Sequence, residues 1–290
     1  MISRFSILCA VAAVALCAQQ RFDSPEAAAQ ALIQATGAHD TAKLAAIFGP
    51  DAHGLLTSGN PQQDVAEQTE FSRLASTKYR IETDSRDPNR VILSIGAEDW
   101  PFPVPLVRTK GTWAFNCSAA PVEMEARRIG TDELDAIEVC FGYVQAQQKY
   151  ASEQHDGVTM LQYASRIMST PGKQNGLFWE GAAEPLVPRR FAEAAQSGAM
   201  RPYHGYYFRI LDSQGPHAPG GAHNYVAGKA LIGGFALVAW PAHYGTSGIH
   251  TFIVNQDGVV LEKDIALAPG SGATPPVTSF DPDDSWTPVD

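Results

Sequence analysis

Residues 203–225, YHGYYFRILDSQGPHAPGGAHNY, bring together three imidazoles, at His204, His217 and His223, and the phenols of Tyr203, Tyr206 and Tyr207. Imidazole suggests general base chemistry or a metal ligand. His217 and His223 flank Pro219, Gly220, Gly221 and Ala222 in what reads as a flexible glycine loop. A zinc site needs three or four ligands, usually including a close pair on a rigid element, and two histidines six residues apart on a loop are not such a pair. His243 and His250 add ligands only if the fold gathers them. Alternation along a strand puts Tyr203, Gly205 and Tyr207 on one face and His204, Tyr206 and Phe208 on the other. The segment therefore reads as a strand, a glycine loop and a second strand. Tyr206, Tyr207, His217 and His223 are its candidates for a binding surface, because exposed aromatics beside glycine offer contact area with adjustable geometry.

Other combinations are weaker. Ser247 near His243 or His250 suggests a nucleophile and its base, but in Gly245, Thr246, Ser247, Gly248 the second glycine comes one place too early for a nucleophile elbow. Asp281, Asp283 and Asp284 are hard oxygen donors suited to calcium, without the turn glycine and later bidentate Glu of an EF-hand loop. Cys117 and Cys140 could pair in an oxidising compartment or remain two buried thiols. Glu98, Asp99 and Trp100 fall at a turn that could border the mouth of a small cavity. No catalytic residue and no cofactor follows from these patterns.

The elements that would position these groups fall into two sets. Ser24 and Pro25 open a helix that Gly37 stops, Asp40 opens a second with Leu44, Ile47 and Phe48 at helical spacing, and a third spans 61–74. From Lys78 the period shortens to strands, with turns at Asp87-Pro88-Asn89, Glu98-Asp99 and Lys110-Gly111. Prolines 101, 103 and 105 confine their strand to an edge or a bulge.

After a charged connector at 121–130 that includes Arg127 and Arg128, Thr131 caps a long amphipathic helix with Leu134, Ile137, Phe141 and Val144 on one face. Met160, Leu161, Ala164, Ile167 and Met168 predict another helix, and 189–196 a third, closed by Gly198. Strands follow at 203–211, 224–226, 235–240, 251–255 and 259–263, with Asp257-Gly258 as a hairpin signal. The tail from 268 reads as poorly ordered or surface-wrapping.

The fold class expected is α+β in two domains, 19–120 and 131–267, and roughly 270 residues after a leader suit two domains better than one. The leader is residues 1–18, where Arg4 precedes an apolar run too short to span a bilayer, so it reads as a signal peptide cleaved near Gln19. Bulky Leu16 disfavours lipidation at Cys17. The whole chain carries a formal charge of −10, and losing Arg4 makes it one unit more negative. Such a surface repels phosphate backbones and anionic lipid, which excludes nucleic acid as a partner class. No later segment is apolar enough for a membrane span.

The stretches DWPFPVPLVRTKGTWAF, RRIGTDELDAIEVCFGYVQAQQKYA, STPGKQNGLFW, YHGYYFRIL, GGFALVAWPAHYGTSGIHTFIVNQDGVV and FDPDDSW resemble, in that order, the bacterial family called Domain of Unknown Function twenty-nine-fifty. The resemblance covers the mature chain and implies a secreted protein without assigning an activity. More distantly, ELDAI with YVQAQQKY ahead of GYYF and TFIVNQDGVV is similar to the globular part of type IV pilins and type II secretion pseudopilins. That likeness implies a helix packed on an antiparallel sheet. Those proteins carry an apolar polymerising stem where this chain has a whole domain and the Arg127-Arg128 connector. The first domain's order, helices and then a curled sheet, looks like the nuclear-transport-factor-2-like cone.

The expectation is an exported, periplasmic or secreted, non-enzymatic binding or scaffolding component of the cell envelope, whose partner is an envelope protein or a small ligand. The alternative is a small-ligand binder or hydrolase that uses the histidine loop or the cone mouth.

Overall fold

The structure, a computed structural model, describes residues 19–52, 60–196, 200–268, 270 and 272–289. The expected signal peptide with Cys17, and Gly198, lie outside the described residues. The protein is α+β, with helices and antiparallel sheets. It divides into two compact units, residues 1–124 and 125–290.

The first unit begins with α1 (Pro25–Gly37), whose N-cap Ser24 accepts from the Ala27 amide, and α2 (Thr41–Phe48), capped in the same way by Asp40. Asn60 caps α3 (Pro61–Thr77). The sheet follows as β1 (Tyr79–Asp84), β2 (Asp87–Ile95), β3 (Trp100–Pro101), β4 (Leu106–Thr109) and β5 (Thr112–Phe115), in the order β1-β2-β4-β5 with β3 against β2. The first turn comes two residues earlier than expected: Ser85 and Arg86 make it, the Asp84 carboxylate accepts from the Arg86 amide, and Pro88 sits inside β2. Lys110 and Gly111, both at positive φ, join β4 to β5 in the two-residue turn that suits strand twist. Leu32, Leu44, Ile47, Phe48, Leu93, Ile95, Leu106 and Phe115 form the core.

Helix α4 (Ala120–Tyr150) carries the chain from the first unit into the second without a break, so the 121–130 connector and the helix after Thr131 are one element. Its buried face is only partly the expected one: Val144 is buried and Ile137 packs against the core as expected. Ala136, Cys140, Tyr143, Gln147 and Tyr150 are buried, spaced alternately by four and three residues, whereas Leu134 and Phe141 are exposed at 68% and 41%. Gln147 makes this face readable as polar, yet every group on its amide is matched. Its Nε2 donates to the Tyr143 hydroxyl and the Ala164 carbonyl, both at 2.9 Å, and its Oε1 accepts from the Ala164 amide at 2.8 Å.

Residues 151–188 hold no helix, which corrects the helix expected around 160–168. Met160 and Leu161 are exposed, while Tyr163 bridges to Leu231 and Met168 to Phe178. Helix α5 is Arg189–Ala194. The second sheet is made of β6 (Tyr206–Leu211), β11 (Ala236–Pro241), β12 (His250–Asn255), β13 (Leu261–Asp264) and β14 (Thr287–Pro288), in the order β14-β13-β12-β11-β6. Between β6 and β11 lie the short pairs β7 (Ser213–Gln214) with β8 (His223–Asn224) and β9 (Val226–Ala227) with β10 (Ala230–Leu231). Asp257-Gly258 falls in a five-residue connection between β12 and β13 rather than a two-residue one. Helix α4 and this sheet share one core, with Tyr143 edge-on to Phe235 at 5.6 Å and its hydroxyl donating to the Ala236 carbonyl. The tail wraps the unit: Phe280 is buried and bridges to Gln214, and β14 extends the sheet.

Cys117 and Cys140 are not joined. Cys117 is buried in the first core, where its Sγ donates to the Phe48 carbonyl at 3.1 Å, and Cys140 is a thiol in the second core.

Candidate functional site

The first unit contains a cavity of about 1010 Å³. One wall is α3, where Glu67, Phe71, Leu74 and Thr77 recur at helical spacing and so share a face. That helix has a single fully buried residue, Ala75, because the face turned toward the core opens on this space. Leu32, Leu44 and Phe48 come from α1 and α2; Ile95, Glu98, Trp100, Phe102 and Val104 come from the end of β2 and the segment after it. The aromatic rings form a chain, with Phe102 lying 6.2 Å from Phe48, 5.3 Å from Phe71, 6.5 Å from Trp100 and 6.3 Å from Phe115. Trp100 is 45% exposed.

Beside the cavity, Asp99 stands at φ 52° in the turn after β2. Its Oδ2 lies 2.7 Å from Lys78 Nζ and 3.5 Å from Arg80 Nη1. The hydrogen bond from Lys78 holds its carboxyl below the ordinary carboxylate range, with Arg80 adding to the effect.

In the second unit the polar groups gather around the middle of α4. His204 and Gly205, at φ 47° and 73°, form a two-residue turn closed by paired bonds between Tyr203 and Tyr206. Gly205 is required there, because a Cβ would overlap the Asp132 carboxylate. The turn directs His204 Nδ1 to Asp135 Oδ2 at 2.5 Å, on the border of a groove of about 390 Å³ lined also by Glu138, Phe141, Leu186, Phe191 and Tyr203. Asp132 is held above its ordinary range chiefly by burial, with Asp135 reinforcing the shift and Arg128 and His204 opposing it. Glu133 Oε1 accepts from the amides of Ile249 and His250 at 2.8 and 3.0 Å and lies 3.2 Å from His250 Nδ1. The His204–Asp135 and Glu133–His250 contacts both lie within the unit, and together they fasten the loops at the sheet's end to α4.

Of the residues expected to form a binding surface, Tyr206 is withdrawn from solvent and the other three keep some exposure. Tyr206 is wholly buried, its hydroxyl donates to the His250 carbonyl at 2.9 Å, and burial with the charges of Glu133 and Asp132 pushes its ionisation far up. Tyr207 is half-buried against Trp240, with the rings 5.6 Å apart. His217 is exposed and engaged with Asp281, whose Oδ1 accepts from its amide at 2.8 Å and lies 3.1 Å from its Nδ1. His223 is exposed, with Nε2 3.3 Å from the Gly233 carbonyl. The loop between them is tied down, since Gln214 Nε2 donates to the carbonyls of Pro219 and Gly221 at 2.7 and 2.8 Å.

The calcium candidates are likewise occupied with local bonds. Asp281 holds His217, and Asp283 accepts from Ser285 and lies 3.5 Å from Lys263 Nζ. Asp284 is exposed. Among the described residues no three His, Cys, Asp or Glu side chains come together as a metal site. Ser247 Oγ accepts from the His243 amide at 3.0 Å and donates to the His243 carbonyl, a turn-closing role.

The His204–Asp135 and His250–Glu133 pairs were not legible, since each joins residues more than sixty positions apart. The turn glycine at 205 was the one local signal.

An α+β chain in two units, with an apolar cavity in the first, defines a class by architecture alone. The chain belongs to the family described as protein of unknown function (DUF2950), whose model matches residues 19–289. No curated protein matches it. Among the described residues no helix is long and apolar enough to cross a membrane.

Proposed function

We propose that the protein is an exported, non-enzymatic binding component of the cell envelope whose first unit holds a small apolar ligand. One observation carries this reading: a cavity of about 1010 Å³ walled by Leu32, Leu44, Phe48, Phe71, Leu74, Ile95 and Phe102. Small-molecule sites are typically concave, mostly apolar spaces of ~300–1,000 Å³ with a few polar groups at the border, and this cavity stands at the top of that range. Export is supported by Arg4 and the short apolar run after it.

Titration with the neutral fluorescent probe N-phenyl-1-naphthylamine tests the binding role. Saturable binding is expected. Ala66→Trp, placed on the lining of α3 at an exposed position, should weaken it at least about tenfold while the circular dichroism stays unchanged. Failure of the probe to bind, or binding indifferent to the added indole, would remove the reading.

A further inference from the structure

We infer that the ligand of this cavity is an apolar cation, an alkyl or aryl ammonium, a conclusion that rests on the binding role proposed above. The apolar walls fix only the body of the ligand; its head is specified by which charges at the border are already matched.

Among the described residues the lining contains four carboxylates, on Asp64, Glu67, Glu70 and Glu98, and one guanidinium, on Arg73. Arg73 is committed, because its Nε and Nη2 donate to the two oxygens of Glu70 at 2.8 and 2.6 Å, and each raises or lowers the other's ionisation accordingly. The two nearest cations in sequence beyond α3, Lys78 and Arg80, are both drawn to Asp99. Glu67 accepts a neutral bond from Gln63 Nε2 at 2.8 Å. Among the described residues neither Glu67 nor Glu98 has a cationic partner within ion-pair distance. Both are exposed, so the ligand-free protein keeps them hydrated at little cost.

Among the described lining residues an anionic head would find no uncommitted positive group and would meet a net negative border. A cationic head would find the carboxylates of Glu67 and Glu98, neither of which has a cationic partner among the described residues. Fatty acids and alkyl sulfates are therefore disfavoured ligands, and amines with an apolar body of the same size are favoured.

The test uses the whole mature chain at low ionic strength and three twelve-carbon competitors below their micellar concentrations: dodecyltrimethylammonium, dodecanol and dodecanoate. Each displaces bound N-phenyl-1-naphthylamine. The ammonium should displace at about one-tenth the concentration that the carboxylate needs, with the alcohol between them. The ratio should shrink in ~0.5 M salt, because exposed charges are screened. In the double variant Glu67→Gln with Glu98→Gln it should fall to about threefold or less, and the ratio is the readout, so that general changes in affinity cancel. Equal or stronger displacement by dodecanoate, or a ratio untouched by the double substitution, overturns the inference while leaving the binding role standing. If neither the probe nor any amphiphile binds, the binding role itself falls, and the cation preference falls with it.

Discussion

The two units use similar materials to opposite ends. In the second, α4 lays a seam of Ala136, Cys140, Tyr143, Gln147 and Tyr150 on a five-stranded sheet, and the polar groups of that seam are matched internally. In the first, the sheet's partner helix α3 turns Glu67, Phe71 and Leu74 toward a cavity that no side chain of the described residues fills. A filled core stabilises and a partly filled one can receive a guest, which is why the proposed binding role is assigned to the first unit even though the chemically suggestive side chains are concentrated in the second. The histidine–carboxylate pairs His204–Asp135 and His250–Glu133 illustrate the point: they act as fasteners.

That contrast can be broken by substitution. The largest effect should come from Trp240→Ala in the second core, where the ring is fully buried and its Nε1 donates to the Gly272 carbonyl at 3.0 Å; about 3–5 kcal/mol should be lost in denaturant unfolding, and probe binding by any surviving folded protein should be unchanged. Next, Gly248→Ala drives a methyl into the buried Tyr206 hydroxyl and should cost about 1–3 kcal/mol in the same measurement; a neutral result would mean that the packing around Tyr206 is looser than described.

The smallest effect concerns Asp132. Its carboxyl sits above the ordinary value of 3.8, so its charged form is disfavoured in the fold. The native state then holds a proton that the unfolded state has released, and this group's contribution to stability falls as pH rises from about 4 through the raised value. Asp132→Asn should therefore gain on the wild type as pH climbs from about 4 to 7. A stability difference that stays flat with pH would contradict the desolvation of that side chain.

Much of this organisation could be read in advance where local chemistry decides it. Ser24 with Pro25 and Asp40 mark helix starts that form as written, and the alternating runs of the last third become β6, β11 and β12. The buried face of α4 was read correctly at Ile137 and Val144 and misread elsewhere, because Gln147 is polar by type and is matched by Ala164, seventeen positions away, while apolar Leu134 and Phe141 face outward. The segment around 160–168 was misread because its bridges run to Leu231 and Phe178, and those non-local pairings override helical propensity. The cavity had only a faint trace in Glu98, Asp99 and Trp100, since an unfilled space depends on which side chains from distant segments fail to meet. The candidates singled out for chemistry, Tyr206, His217, His223 and Asp281, proved to be bonded to neighbours that sequence spacing does not reveal.

The clasp made by the tail has a consequence for biogenesis. Phe280, Asp281 and β14 dock against Gln214, His217 and β13, so the second unit acquires its last strand and one of its buried rings from residues that leave the ribosome after nearly everything they touch. Until that stretch arrives, β13 presents an open edge. A chain shortened before residue 280 should linger as an unsealed, protease-sensitive species, whereas the first unit has its own core fully encoded long before synthesis ends.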